Sequence, residues 1–481
     1  MADGRSVYRF THDLRLDDHA GIAAAAADGA IVALLVVDAA LEARLRRSPK
    51  RAAAYCAATA ALDEELRAHG SPLVVRRGPA AAAVIDVART TGARGAAWSA
   101  AYDQNGIEAD RRLQSELEEA GLRASVVHDA PAIAPEETAE RSTSGDGYRA
   151  FGPFLEVWRD VPIASHEHPL LVRFAQDGAQ AQGERLPDPA EFGSTESAAD
   201  AGPAAARKAL EAFLRDGATR YAQAANVPSD DRTSRLSAHL SFGTISARSV
   251  VAAARKRLED PLLLSEERFS LRRFLQSLAR RDFFLQLSWF HPQTQDEPLQ
   301  EKMRGFPFAR SHRALEAWRA GTTGFPLVDA GIRQLRATGW MHPHARAVAA
   351  SFLCFDLGVD WRIGRDAWDA HSIEDDPAVA TGNWQWIAAV GADMAQYPRI
   401  YNPQRQRRRC DPDGSYVRRW VRELERIPVV QWREDRADSP QLTLDLASPS
   451  GYPPPVVDHE RAAREFLRRY REFAASQGSE S

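Results

Sequence analysis

Over the first 130 residues, short apolar runs alternate with Ala-rich stretches of helical spacing. Val7–Phe10, Ala30–Val37, Leu73–Val75, Ala96–Trp98 and Ser125–His128 read as strands. Ala20–Ala27, Arg51–His69, Ala80–Thr91 and Glu108–Ala120 read as the helices between them, with Asp17 or Asp18 expected to cap the first. A strand–helix alternation of this kind predicts a doubly wound, mostly parallel sheet. The pattern then breaks. From about residue 163 to 203 the chain is rich in Pro, Gly, Ser, Asp and Glu without periodicity, which reads as a linker. Beyond it the period is helical throughout, in Ala204–Leu214, Arg268–Phe290, Val328–Leu335, Ala347–Leu357 and a final amphipathic Asp458–Ala475. Pro440–Val457 reads as a loose surface segment and Ser476–Ser481 as a frayed end. The expected organisation is an α/β N-terminal domain over 1–135, a linker over 136–203, and an all-α domain over 204–475.

Length and composition agree with two or three soluble domains: 481 residues, 44% hydrophobic and 27% charged. Three cysteines without a CxxC pair suit a reducing cytoplasm rather than a disulfide framework. Met1–Asp18 is charged and reads as no signal peptide. No apolar run approaches the ~20 residues of a membrane helix, so no membrane role is expected. With a net charge of −4, nucleic acid can be met only by a local basic patch. No metal-ligand spacing stands out. No protein partner can be assigned.

The densest chemistry lies between Thr323 and Tyr416. Trp340, Trp361, Trp384, Arg346 and the acidic triplet Glu374-Asp375-Asp376 crowd one helical stretch. Charges are rarely buried without partners, so this combination points to a large, polar, aromatic ligand held between helices.

These residues also carry a resemblance. TGFPLVDAGIRQL, TGWMH, ASFL, VDWR, the acidic loop, NWQW and RIYNPQ, in this order, resemble the FAD-binding domain of the DNA photolyase/cryptochrome family. Tyr221 with Thr233, Ser234, Arg235, Leu236 and Ser237 is similar to the family's phosphate-binding segment, where hydroxyls and free N–H groups at a helix start suit a pyrophosphate. The resemblance implies that Gln276 and Arg281 touch FAD and that Arg346 lies beside the flavin ring and pairs with Glu374. It also implies that the acidic loop, Glu374, Asp375 and Asp376, lines the cofactor. Trp384 and Trp361 match the first two members of an electron-transfer chain, whose third member falls on Phe308. The N-terminal RFTHDLRLDD resembles the family's opening motif, with Arg9 where Trp is usual. The cleft beside that domain can hold a second, antenna chromophore, unidentified here.

The lesion-facing rim departs from the family. Enzymes splitting cyclobutane dimers carry Glu and Trp where this chain has Ser277 and Arg280, and Asn and Met at Pro343 and Ala347. The residue usually facing flavin N5 is Ala380. Trp386 is the retained rim aromatic. The run Arg399–Arg409, including Arg405 and Arg407, implies contact with DNA phosphates. Two readings follow: a blue-light-driven FAD flavoprotein with photolyase-type chemistry on DNA, or a cryptochrome-like receptor or redox flavoprotein without repair. A nicotinamide-dependent enzyme finds no GxGxxG fingerprint.

Overall fold

The computed structural model describes residues 4–163, 172–175, 183–198, 201–230, 232–311, 313–392, 398–432 and 451–478. Five parallel strands, β1 (Arg5–Phe10), β2 (Ala30–Val37), β3 (Val74–Arg77), β4 (Gly95–Ser99) and β5 (Arg123–Val127), form one sheet in the order β3-β2-β1-β4-β5. The near-continuous apolar run of β2 follows from this placement: helices cover both faces, and seven of its eight residues are buried. β5 is an edge strand, and each of its residues is exposed or half-buried. Ala-rich helices suit the packing, since small side chains let Pro49–Ala68 and Ala80–Thr91 approach the sheet closely. All five strands and the four helices expected between them are present.

The first helix, Ala20–Ala26, is not capped by Asp17 or Asp18. His19 is the cap, its Nδ1 accepting from Ile22 N at 3.3 Å, while Asp129 accepts from Ala20 N at 2.9 Å. Asp18 is turned away in a left-handed conformation (φ 45°), where it binds Arg248 and Ser249.

Packing divides the chain into two compact units. The first comprises residues 1–219, 234–295 and 373–379, so it takes in the long helix Ser265–Phe290 together with the sheet. The second comprises residues 220–233, 296–372 and 380–481 and is helical. Its core gathers Met341, Val348, Phe352, Leu353, Trp361 and Phe466. Helix Pro343–Ser351 runs into a π-helical turn over Phe352–Asp356, where Leu357 N reaches back to Phe352 O at 3.1 Å. Widened turns of this kind recur at functional sites. The final helix is His459–Gly478. Parts of the expected linker and most of Pro440–Val457 lie outside the described residues.

Candidate functional site

The first unit holds a cavity of about 160 Å³ at the carboxyl ends of β1, β2 and β4. One water needs ~10–15 Å³ of such space, so this is not a packing defect. In this strand order the chain turns from one side of β1 to the other, and such switch points are where open α/β sheets bind ligands. The cavity is lined by apolar residues (Phe10, Val36, Leu41, Leu285) and by a ring of charge. Arg9 donates to Asp38 at 3.1 Å, and its buried Nε has no partner. Arg44 Nε donates to both oxygens of Asp375 at 3.1 Å, and His12 Nε2 lies 2.8 Å from the same carboxylate. Arg51 holds the neighbouring Glu374 carbonyl at 2.7 Å. Burial opposes ionisation of Asp375, but Arg44 and Arg51 outweigh it and hold the carboxyl well below the usual range. Asp376 is the reverse case. Burial pushes its carboxyl up, and Arg281, 3.4 Å away, offsets only part of that.

The opening motif beneath this cavity is a structural clamp. Asp13 accepts from Thr11 N at 2.8 Å, Ser99 Oγ at 2.6 Å and the Tyr8 hydroxyl. Arg15 donates to Asp129 at 2.6 Å, and Arg248 donates to the same carboxylate at 2.7 Å. Burial opposes charge on Asp129, yet Arg15, His19 and Arg248 hold it far below the usual range. Asp129 and Arg248 were not legible as partners: they stand 119 residues apart, on segments with no pattern of their own.

On helix Ser265–Phe290, Gln276 is half-buried and accepts from Arg273 at 3.0 Å. Ser277 is exposed, and its hydroxyl donates to Phe274 O at 2.6 Å. Arg280 lies over the Phe151 ring, 4.0 Å from its centroid. Arg281 donates to the carbonyls of Ala130 (2.7 Å) and Leu240 (3.2 Å). Further along, Trp158 and Ala132 N bind Asp282, which burial pushes up to about 6. The segment Ser234–Ser237 leads into the short helix Ser237–Phe242, with Arg235 in a left-handed conformation (φ 55°). Leu236 is the cap there, and neither Thr233 nor Ser234 caps that helix. Ser234 Oγ instead accepts from Leu236 N at 3.4 Å.

In the second unit, Tyr221 opens a one-turn helix, Tyr221–Ala224. Thr233 Oγ1 is buried and has no hydrogen-bond partner. Arg346 donates from Nε to Met341 O at 2.7 Å, and its guanidinium lies 5.5 Å from the Trp368 ring centroid. Trp384 sits at the centre of an aromatic cluster, 6.1 Å from Trp368 and 6.4 Å from Trp318, both edge-on. Gly364 makes the approach possible: a Cβ there would meet the Trp384 ring at 2.5 Å. Trp361 is fully buried, its Nε1 has no partner, and Arg362 and Arg365 each lie 5.4 Å from its ring. Phe308 packs only on phenylalanines among its described ring contacts, Phe306 at 4.7 Å and Phe466 at 6.2 Å. Pro343 is exposed at the first turn of its helix, and Trp386 is half-buried.

The basic helix Pro403–Cys410 corrects one expectation. Arg405, Arg408 and Arg409 are exposed, but Arg407 is buried, with its guanidinium 5.3 Å from the Trp432 ring centroid. It packs the helix down instead of facing outward. His342 is likewise structural, accepting from His344 N at 3.2 Å and meeting Ala224 O at 3.0 Å. His344 sits 3.1 Å from both Gln406 and Cys410 Sγ.

Comparison with known proteins follows this geometry. Residues 6–171 match the family model described as DNA photolyase, and residues 274–472 the one described as FAD binding domain of DNA photolyase. A deoxyribodipyrimidine photo-lyase of Halobacterium salinarum is 35% identical, over 95% of this chain and 97% of that protein. Cryptochrome-1 of Arabidopsis thaliana is 32% identical, over 95% of this chain and 69% of that one. Among solved structures, an archaeal photolyase from Sulfolobus tokodaii, described with two FAD molecules and an implied novel light-harvesting cofactor, is 25% identical. It covers 97% of this chain and 100% of its own, with a TM-score of 0.80.

Proposed function

The chain belongs to the DNA photolyase and cryptochrome family, with an FAD-binding domain in its C-terminal half, and from that premise we propose a light-driven flavoprotein that binds DNA but splits pyrimidine lesions poorly. The residues fit the cofactor. Thr233 Oγ1 is a buried hydroxyl that lacks a partner, and a phosphate oxygen would satisfy it. Arg346 is a cation whose orientation is fixed by Met341 O and Trp368, as a group serving an electron-rich ring must be. Ala380 adds no hydrogen-bonding side chain. Bound FAD supplies absorption of blue light and a transferable electron.

One observation carries the reading of weak repair. Negative charge develops on the pyrimidine carbonyls during splitting and needs donors aimed at it. Ser277 spends its hydroxyl proton on Phe274 O, and Arg280 is stacked on Phe151 rather than presenting a flat ring. Pro343 has no N–H to offer. The same rim favours the second reading, a light receptor in which DNA or another anion is held without repair.

DNA would be met by the exposed Arg405, Arg408 and Arg409, which bind phosphates without reading sequence, so binding should weaken steeply with salt. The switch-point cavity is the place for a second chromophore. No described helix is long and apolar enough to cross a membrane, and three free cysteines accord with a cytoplasmic setting. The test is a defined single-lesion oligonucleotide incubated with fully reduced protein, in light and in darkness. Light-dependent restoration ~10²–10³ slower than in a dimer-splitting relative is expected. Restoration at the relative's rate would overturn the reading.

A further inference from the structure

Residues from four separate segments of the first unit meet beyond the carboxyl ends of β4 and β5. Tyr102 follows β4, His128 follows β5, Glu136 lies in the short helix Pro135–Ala139, and Trp289 is in the last turn of Ser265–Phe290. The Tyr102 hydroxyl lies 2.6 Å from His128 Nδ1, and His128 Nε2 lies 3.1 Å from the Glu136 carboxylate. A carboxylate can only accept, so it fixes the imidazole proton on Nε2. Nδ1 is then an acceptor, and the phenol donates to it. The Trp289 ring stands edge-on to His128 at 4.6 Å and tilted against Tyr102 at 5.9 Å, centroid to centroid.

A buried phenol needs only a carbonyl to satisfy it, as Tyr55 shows by donating to Thr11 O at 3.1 Å. Tyr102 is buried too, yet it faces a base that can take its proton. Burial and the carboxylates of Asp129, Glu136 and Asp282 push its phenol well up, against the pull of Arg281. The phenol therefore keeps its proton, and loss of an electron must carry that proton to a partner. The same carboxylates favour removal of an electron from the ring, since they attract the positive charge left behind. Burial pushes the His128 imidazole down, against Glu136, so the ring is neutral near neutral pH and ready to accept. The Glu136 side chain is half exposed, which opens the line of hydrogen bonds to solvent.

We propose that Tyr102 is a redox-active tyrosine that refills an electron vacancy on Trp289. The first step needs a one-electron oxidant strong enough to oxidise indole. It takes an electron from Trp289, and the indole N–H proton leaves to solvent. Tyr102 then gives one electron to the Trp289 radical, which recovers a proton from solvent. The phenol proton moves to His128 Nδ1 as His128 releases Nε2–H to Glu136, and Glu136 passes it to water. The product is a neutral tyrosyl radical, and the oxidising equivalent has moved off the indole.

The experiment is pulse radiolysis of the full-length, FAD-bound protein in darkness, with azidyl radical as the oxidant. Azidyl becomes azide as it oxidises tryptophan. Decay of tryptophanyl absorption with growth of tyrosyl absorption reads the transfer. Tyr102→Phe, which keeps the ring, should remove a resolved share of that growth, and Trp289→Phe should remove the same share. Tyr55→Phe should leave it unchanged. His128→Gln, which can hold the phenol but cannot take its proton, should slow the transfer ~10²-fold or more. Glu136→Gln, at an exposed position that bears little on folding, should slow it by a smaller factor, and the wild-type rate should fall in deuterium oxide. The transfer should continue below the ordinary histidine value of ~6.5 and stop only where His128 gains a proton, because its own value is depressed. Tyrosyl growth unaltered in Tyr102→Phe would overturn the proposal. So would Tyr102-dependent growth whose rate is indifferent to both His128→Gln and deuterium oxide.

Discussion

The guanidinium of Arg280 lies over the ring of Phe151, 4.0 Å from its centroid. The contact occupies the helix position at which dimer-splitting members of the family carry an indole, and one turn's neighbour, Ser277, is tied to its own helix backbone. The Phe151 ring is buried and Arg280 half-buried, and a cation–π pair of this kind is worth about 1–2 kcal/mol, so exchanging Arg280 for another flat group should leave the fold intact. Ser277→Glu combined with Arg280→Trp should therefore keep thermal stability and raise light-dependent dimer splitting about tenfold or more, since a protonated carboxyl restores a hydrogen-bond donor at the developing negative charge. Strand restoration on a single-dimer oligonucleotide, set beside the melting temperature, checks this. A stable double variant with no gain would mean that Pro343, not Ser277 and Arg280, limits repair.

Much of this architecture was readable from the chain, and the parts that were not share a cause. The five strands and their helices follow from periodicity, because burial on two faces gives β2 an unbroken apolar run and the Ala-rich helices their period. Trp384, Trp361 and Arg346 stood out because such residues are expensive to bury. What stayed hidden are contacts fixed by tertiary approach. Arg407 sits in the chain's most basic run, yet it is buried on Trp432, a contact that no local pattern announces. Asp18 reads as a helix cap but is drawn off by Arg248, 230 residues away, leaving His19 to cap. The cavity's ion pairs, such as Arg44 with Asp375, join segments 331 residues apart.

The aromatic cluster predicts a graded response to light. Trp384 touches Trp318 and Trp368, whereas Phe308, which the family resemblance would make the outermost member of an electron path, contacts phenylalanines among its described ring contacts. Phe is much harder to oxidise than Trp, so on the proposed electron path a hole would stop short of Phe308. Trp384→Phe should slow photoreduction by a thiol reductant at least tenfold, and Phe308→Trp should speed it. Trp368→Phe should change it less than about twofold, because the Arg346 charge 5.5 Å away already disfavours a hole on that ring. Bleaching of the oxidised flavin band under blue light measures all three. Equal loss in the Trp368 and Trp384 variants would place both at the head of the path.

Arg346 offers a direct test of cofactor holding. Its guanidinium is oriented by Met341 O and Trp368. Arg346→Ala should weaken flavin retention about ten- to hundredfold, the worth of one charge-assisted hydrogen bond. Arg346→Lys should fall between, because it keeps the charge but loses the planar fork. The flavin-to-protein absorbance ratio after gel filtration reports the outcome, and full retention in the Ala variant would count against its role.

The clamp on Asp129 should set the acid limit of the first unit. Its carboxylate takes Arg15 at 2.6 Å, Arg248 at 2.7 Å and Ala20 N at 2.9 Å, all in a buried setting. In the unfolded chain the group releases its proton near the ordinary Asp value of ~3.9, and in the folded protein far below it. Because the folded pKa is depressed, the stabilisation is fully present above the unfolded value and is lost as pH falls below it. Asp282 acts in the opposite sense. Burial raises it to about 6, so its contribution declines as pH rises through that window. Asp129→Asn keeps the shape but leaves two buried guanidiniums without their shared anion, and should cost about 3–5 kcal/mol near neutral pH. That difference should shrink as pH is lowered below ~4, where the wild-type protein begins to lose the same interaction. Denaturant unfolding of both proteins across the acid range isolates the Asp129 share, since Asp282 is common to both. A gap that stayed constant down to the lowest pH at which both proteins fold would show that the variant's loss comes from packing rather than from charge.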